Sequence, residues 1–306
     1  DLTGPMYGRL LSGVGIFLMS LWFLAREYGI SFRFREIKGL HKFCFPFLIY
    51  LILVWVVANI DKLIINSSMD EAKVGLFDFA VRCTLLVDLL QNGLMGAVNP
   101  VVFTMWKDSG RNETTPETNR YFSVFTAVSV LGIAGFTFIV PLLIPLVVDS
   151  TGYYESFVFM GVLASGFAFR GLYYYFLSPI LYLKKTKLLP IAFGMSAAIQ
   201  IPLTIWLANN YYLDGVVWAN VIVKALQALF LYLVVRSYFK FSLNPFKMIL
   251  LPVIFIALCI VLWEYLGKFD WLWYGGLALV TFGIVSAIYY REMKQVWDKF
   301  TAKNKA

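Results

Sequence analysis

Long apolar segments follow one another along most of the 306-residue chain, separated by short polar connections. A helix that crosses a bilayer needs about 20 mostly apolar residues, because it must cover about 30 Å of hydrocarbon. This criterion predicts nine spans, at residues 5–25, 43–65, 77–103, 121–148, 156–183, 188–208, 213–235, 248–267 and 271–290. Only 14% of the residues are charged, too few to cover a water-soluble fold. The expected fold class is an all-α, polytopic membrane helical bundle.

The connections between the predicted spans differ in charge on alternate sides. One side holds 19 Lys and Arg residues, in the connections 26–42, 104–120, 184–187, 236–247 and 291–306. The other side holds only Lys73 and Lys268. Because basic connections stay in the cytoplasm, we expect a multi-pass protein of the plasma (inner) membrane. The N-terminus of this chain is expected outside and its C-terminus in the cytoplasm.

The net charge of +8 comes largely from these basic connections, which face anionic lipid headgroups. We therefore expect membrane lipids, and not nucleic acid, among the partners. Cys44, Cys83 and Cys259 lie in or beside apolar segments without paired spacing, which predicts neither a disulfide nor a metal site. No cofactor is expected. The chain begins with Asp1 and has no basic segment before its first span, so we expect part of a longer protein rather than a signal peptide.

Charged side chains inside the predicted spans are the first candidates for function. Such groups are costly in hydrocarbon and usually face a partner, the bundle interior or water. Asp88, Arg170 and Lys224 fall near the middle of their spans. The other charged residues within spans are Arg9, Asp61, Lys62, Asp78, Arg82, Asp214 and Glu264.

Polar residues also recur at helical spacing. At 100° per residue, an arc of about 120° on 77–103 contains Asp78, Arg82, Asp88, Asn92, Gly96 and Asn99. One face of the helix 213–235 contains Asn220, Lys224 and Gln227. One face of the helix 188–208 contains Ser196, Gln200 and Thr204. Several helices thus offer polar surface to a shared interior.

Two interpretations of these polar faces stay open. In the first, Asp78 pairs with Arg82 across one helical turn and the amides bridge helices, each contact contributing about 0.6 kcal/mol. In the second, which we favour, the faces line a water-filled cationic cavity for an anionic substrate, because the deep positive charges outnumber Asp88.

A membrane-embedded sugar-transfer enzyme is the distant alternative. The single histidine of the chain, His41, lies in a predicted cytoplasmic connection. The sequence contains no metal-binding motif and no Gly-rich phosphate loop. Since a positioned general base is also missing from the pattern, we do not expect an enzyme.

Three segments carry a family resemblance. Residues 45–82 read FPFLIYLILVWVVANIDKLIINSSMDEAKVGLFDFAVR, with Pro46 near the start of a helix, the Asp61-Lys62 pair, and Val74-Gly75 before the next helix. The other two read LYLKKTKLLP, from residue 181 to 190, and LDGVVWANVIVKALQ, from residue 213 to 227. They resemble the polysaccharide transporter or O-antigen-type oligosaccharide flippase family. Its superfamily, the MATE-like MOP superfamily, also contains drug exporters and lipid II flippases.

The resemblance implies two six-helix lobes, commonly followed by two further helices. Counted from the C-terminus, the nine spans would be the sixth to the fourteenth, so the first five would be missing. Residues 1–42 would be the last helix of the first lobe and a cytoplasmic linker. Residues 43–235 would be the second lobe, and residues 236–306 two additional helices and a cytoplasmic tail.

The resemblance also implies translocation of a polyprenyl-diphosphate-linked oligosaccharide for cell-surface polysaccharide synthesis, by alternating access coupled to a proton or sodium gradient. Polysaccharide polymerase machinery is a further expected partner. The expected substrate-binding residues are Arg9, Arg82, Arg170, Lys224, Asn92, Asn220 and Gln227. The coupling cation is expected at Asp88 or Asp61. A multidrug or lipid II exporter of the same superfamily is the near alternative.

Overall fold

The computed structural model describes residues 3–29, 34–147, 151–266 and 271–303, which form nine α-helices. These are α1 (Thr3–Tyr28), α2 (Phe34–Ser68), α3 (Glu71–Ser109), α4 (Pro116–Val147), α5 (Phe157–Ser165), α6 (Arg170–Tyr182), α7 (Leu188–Val235), α8 (Leu251–Leu266) and α9 (Trp271–Lys303). Short 3₁₀ turns occupy Thr151–Ser156 and Gly166–Phe169, and a π-helical turn occupies Phe246–Leu250. Some residues singled out in the sequence lie outside the described side chains: Asp1, His41, Cys259, Glu264 and Lys268.

Each of the nine predicted spans is helical where the structure describes it, apart from the interruptions given next, and this confirms the all-α fold class. The predicted span 156–183 is interrupted by the 3₁₀ turn between α5 and α6. The spans 188–208 and 213–235 are two arms of α7. Four described stretches are long and apolar enough to cross a membrane: Met6–Tyr28, Cys44–Ser68, Pro116–Val140 and Leu188–Val235.

The bend in α7 lies where the sequence predicts an outer connection, at residues 209–212. Tyr212 has φ 51° and ψ −135°, which are not helical angles. Just beyond the bend, a Cβ atom on Gly215 would lie 2.1 Å from the carbonyl oxygen of Leu207. Only glycine fits so close to backbone, so Gly215 allows the two arms to approach each other tightly.

The chain divides into two compact units, Asp1–Cys44 and Phe45–Ala306. In the first unit, the described side chains of α1 are exposed and mostly apolar. In the second unit, buried residues form two clusters. One surrounds Phe77 and Met160, and the other is rich in aromatic rings around Trp106. The boundary expected near residue 235 remains a prediction.

The aromatic cluster lies beside a main-chain bridge between two connections. The Thr114 amide donates to the carbonyl of Lys240 at 3.0 Å, and the Lys240 amide donates to the carbonyl of Asn112 at 3.0 Å. The Tyr175 hydroxyl donates to Thr114 Oγ1 at 3.1 Å. These bonds fix the connection between α3 and α4 against the segment after α7 and against α6.

Candidate functional site

A cavity of about 280 Å³ lies within the second unit, among α2, α3, α5, α6 and α7. Its polar lining consists of Thr84, Asp88, Arg170, Tyr173, Gln200, Asn220, Lys224 and Gln227. Phe167, Phe169 and Phe193 contribute aromatic surface. Members of the polar faces predicted on α3 and on both arms of α7 therefore meet in one cavity, together with Arg170 from α6.

The structure brings together five of the nine predicted site residues as cavity lining: Asp88, Arg170, Asn220, Lys224 and Gln227. Asp61 lies behind this lining and contacts it through hydrogen bonds. Asn92 lies one turn from Asp88 on α3. Arg82 is exposed on α3, and Arg9 is exposed on α1 in the first unit. Their roles in binding remain predictions.

A ladder of polar pairs joins α3 to α6. Its three pairs are Asp88 with Arg170, Asn92 with Tyr174, and Asn99 with Ser178. Asn92 also donates to Asp88 Oδ2 at 2.9 Å. Residues four or seven apart lie on the same helix face, which is why the partners follow each other along both helices. The ladder gives both Asn92 and Asn99 a partner on α6, as the structural interpretation of this face predicts.

Arg170 is surrounded by compensating groups. Its guanidinium forms an ion pair with Asp88. The guanidinium carbon also lies 5.1 Å, 5.3 Å and 5.7 Å from the ring centroids of Tyr173, Tyr174 and Phe167. Aromatic faces attract cations. The charge of Arg170 is therefore largely occupied by its neighbours, although the residue lines the cavity.

Lys224 has different surroundings. Its ammonium group donates to the Leu163 carbonyl at 3.2 Å and lies 3.8 Å from the ring centroid of Phe167. No carboxylate among the described residues forms an ion pair with it. A Cβ atom on Gly166 would lie 3.0 Å from Lys224 Cδ, so the glycine leaves room for the lysine stem. Lys224 thus presents a positive charge to the cavity that no contacting anion balances.

Asp61 is 1% exposed, and neutral side chains hold its carboxylate. Gln200 Nε2 donates to Oδ1 at 3.0 Å, Thr204 Oγ1 to Oδ1 at 3.3 Å, and Asn220 Nδ2 to Oδ2 at 2.9 Å. The Gln200 Oε1 atom is buried and receives no hydrogen bond from the described residues. All three side chains thus turn a donor towards the carboxylate. We call this cluster the Asp61 pocket (Asp61, Gln200, Thr204 and Asn220).

The adjacent charged residues Asp61 and Lys62 contact different helices. Successive helical residues point about 100° apart. Asp61 faces α7, whereas Lys62 Nζ pairs with Asp78 of α3 at 2.5 Å. Arg82 Nε pairs with the same carboxylate at 2.5 Å, as its spacing from Asp78 predicts. The Arg82 side chain is 58% exposed and does not line the cavity; through Asp78 it belongs to an ion-pair network between α2 and α3.

The sequence placed Gln200 and Thr204 on a face expected to line the cavity but assigned them no binding role, and it did not identify Tyr173. The spacing of Gln200 and Thr204 marks one polar face of the first arm of α7, but it does not identify Asp61 as the residue facing it. Tyr173 belongs to a run of three tyrosines in α6, two of which contact Arg170.

Comparison with known proteins gives two matches. A family model described as "Polysaccharide biosynthesis protein" matches residues 6–115. Among solved structures, the chain is similar to a lipid II flippase MurJ in an inward closed conformation, with a TM-score of 0.59 and 18% sequence identity. This similarity covers 89% of the present chain and 64% of that chain. No curated protein matches.

These findings confirm the expected resemblance to polysaccharide transporters. The chain has the fold of a membrane transporter, and its apolar helices agree with a location in a membrane. It spans 64% of the length of the flippase that it matches.

Proposed function

We propose that this protein moves a polyprenyl-diphosphate-linked oligosaccharide across the membrane for cell-surface polysaccharide synthesis. The observation that carries the proposal is the ammonium group of Lys224, which lines the cavity and contacts no carboxylate of the described residues. An anion that enters the cavity gains an ion pair there without first displacing an internal one. The polysaccharide biosynthesis match and the flippase fold support this assignment.

The second arm of α7 provides the principal substrate contacts in this proposal. Lys224 pairs with the diphosphate or with an acidic sugar. Asn220 and Gln227 lie on the same helix face and line the same cavity. Their amides can donate and accept hydrogen bonds, which suits sugar hydroxyl groups. One helix face thus combines charge recognition with sugar recognition.

The other predicted substrate residues take secondary roles. Arg170 orients the substrate beside its aromatic rings, because Asp88 already compensates its charge. Asn92 supports Asp88. Arg82 and Arg9 are exposed, and we assign them to attraction of the anionic substrate outside the cavity.

The coupling cation, a proton or sodium ion, binds at Asp61 in this proposal rather than at Asp88. Asp88 is engaged by the Arg170 guanidinium, which a cation would have to displace. The Asp61 pocket contains only neutral donors around its carboxylate, together with the unpaired oxygen of Gln200. A bound cation would balance the charge of a deeply buried acid.

The transport cycle in this proposal is alternating access within the plasma (inner) membrane. Residues 43–235 act as one lobe, and residues 236–306 add two helices. The N-terminus of this chain lies outside and its C-terminus in the cytoplasm, where the basic connections meet anionic lipid. Polysaccharide polymerase machinery receives the translocated oligosaccharide. We assign transport and not catalysis, since the matched fold is that of a flippase.

Lipid II is the second candidate substrate, because the matched structure is a lipid II flippase. The two candidates differ in the intermediate that accumulates when transport stops. A strain in which the gene is disrupted should lose surface polysaccharide and accumulate lipid-linked oligosaccharide. Accumulation of lipid II with normal surface polysaccharide would instead assign the second candidate.

The role of Lys224 is tested in the same strain by complementation. The wild-type gene should restore surface polysaccharide, whereas the Lys224→Met variant should restore at least ten times less at equal expression. Lys294→Met removes an exposed lysine of α9 and should complement fully. Full complementation by Lys224→Met would reject the assigned substrate contact.

A further inference from the structure

The aromatic ring of Phe167 lies beside two cations of the cavity lining. Its centroid is 3.8 Å from the ammonium nitrogen of Lys224 and 5.7 Å from the guanidinium carbon of Arg170. Phe167 is 8% exposed and itself lines the cavity. Because the face of an aromatic ring attracts cations, this one buried side chain can act on both positive charges.

The position of Phe167 depends on the 3₁₀ turn Gly166–Phe169, which separates α5 from α6. Side chains of two other helices donate to main-chain carbonyls at this turn. Lys224 of α7 donates to the Leu163 carbonyl at 3.2 Å, and the buried Gln91 of α3 donates to the Phe167 carbonyl at 3.1 Å. Leu163 lies in the last turn of α5, where carbonyls lack partners within the helix. The interruption of the helix therefore provides the acceptor for the ammonium group.

The stem of Lys224 lies against the same turn. A Cβ atom on Gly166 would lie 3.0 Å from Lys224 Cδ and 3.4 Å from the Cα atom of Val221. The second arm of α7 thus passes close to the turn, and both the stem and the ammonium group of the lysine contact it. A lysine side chain is long and flexible. Holding it in one orientation before the ligand arrives reduces the entropy that binding costs.

We propose that Phe167 is a positioning residue of the cavity, whose ring holds the Lys224 ammonium group where an anionic group of the substrate can pair with it. The ring covers one side of the ammonium group, and the Leu163 carbonyl accepts one of its three N–H donors. The other two donors stay available to the anion. This inference rests on the proposed function and adds a residue that acts through Lys224.

Phe169 provides a matched comparison within the same turn. It also lines the cavity and is partly buried. Among the described residues, no cation lies over its ring. If aromatic residues of the turn served only to fill space, the same substitution at Phe167 and Phe169 would have similar effects on anion binding.

Calorimetric titration of the purified full chain in lipid nanodiscs with inorganic diphosphate tests the proposal. Phe167→Leu should raise the dissociation constant about five-fold, because leucine is apolar but has no ring face for the cation. Phe167→Tyr retains the ring face and should bind as wild type does. Phe169→Leu should also bind as wild type does.

A graded series separates cation attraction from packing. Phenylalanine analogues with increasing numbers of ring fluorines, placed at position 167, keep the shape of the ring while weakening its attraction for cations. The dissociation constant for diphosphate should rise with each added fluorine, whereas the same series at position 169 should leave it unchanged. This measurement also decides the question if Phe167→Leu does not fold.

A constant affinity across the fluorinated series at position 167 would overturn the proposal. Tighter diphosphate binding by Phe167→Leu would do the same, since it would show that the ring holds the ammonium group away from the anion. Absence of diphosphate binding in wild type would also reject it. Loss of surface polysaccharide on gene disruption is measured separately, so positioning by Phe167 can fail while the transport function stands.

Discussion

Replacing Asp88 by Leu would leave the Arg170 guanidinium without its carboxylate partner. Breaking a fully buried ion pair from one side costs about 3–5 kcal/mol. The Arg170 and Asp88 side chains are 24% and 25% exposed. Scaling the cost by the buried three quarters gives about 2–4 kcal/mol for Asp88→Leu. Arg170→Met should cost a similar amount, because it leaves Asp88 with Asn92 as its remaining donor.

The double variant should be less destabilised than the two single variants together. Once both charges are absent, neither remains unpaired, so we expect a coupling energy of about 1–3 kcal/mol. The Asn99 and Ser178 pair of the same ladder provides the control. As a neutral hydrogen bond between membrane helices, it should show a coupling of about 0.6 kcal/mol.

Unfolding in mixed micelles with increasing sodium dodecyl sulfate, followed by tryptophan fluorescence, would measure all four proteins of each cycle. Effects of Asp88→Leu and Arg170→Met that add within about 0.5 kcal/mol would refute the reasoning, since independent sites behave in this way. The double variant also keeps the cavity lined by Lys224 while removing the other two charges. Its transport activity therefore separates the structural role of the ladder from substrate binding.

Two further predictions concern topology and the bend of α7. In a variant without native cysteines, Asn210→Cys should react with an impermeant thiol reagent from outside intact cells and Glu113→Cys should not; the reverse pattern would overturn the proposed orientation. Gly215→Ala should destabilise the protein by about 1–3 kcal/mol in the micelle assay, because its Cβ would overlap the carbonyl of Leu207. Gly93→Ala, which meets no atom within 4 Å, should cost nothing, and equal effects of both would contradict the close approach.

The helices could be predicted from sequence because each needs only a run of apolar residues of sufficient length. The bend near residue 212 was also predictable, since polar residues interrupt the apolar pattern at Asn209 and Asn210. The 3₁₀ turn at Gly166–Phe169 was not. Apolar residues continue through it, so hydropathy gives no sign that the backbone changes there.

The site was predictable one helix face at a time. Helical spacing identified Lys224 and Asn220 as neighbours on one face, and the cavity includes both. Spacing within a helix does not reveal which helix lies opposite, and the pairs between Asp61 and Gln200 or between Asp88 and Arg170 depend on that tertiary information. The sequence therefore predicted which charged residues belong to the site better than it predicted which residues on other helices they contact.

The hydrogen bonds of Asp61 connect the two arms of α7 across their bend. Thr204 on the first arm and Asn220 on the second each lie eight residues from Tyr212, or about 12 Å along the helix axis. The far ends of the arms lie about three times as far from the bend. Asp61 therefore joins the two arms of α7 close to their bend. A small change in the distance between Thr204 and Asn220 would change the angle between the arms, and the far ends of the arms would move about three times as far.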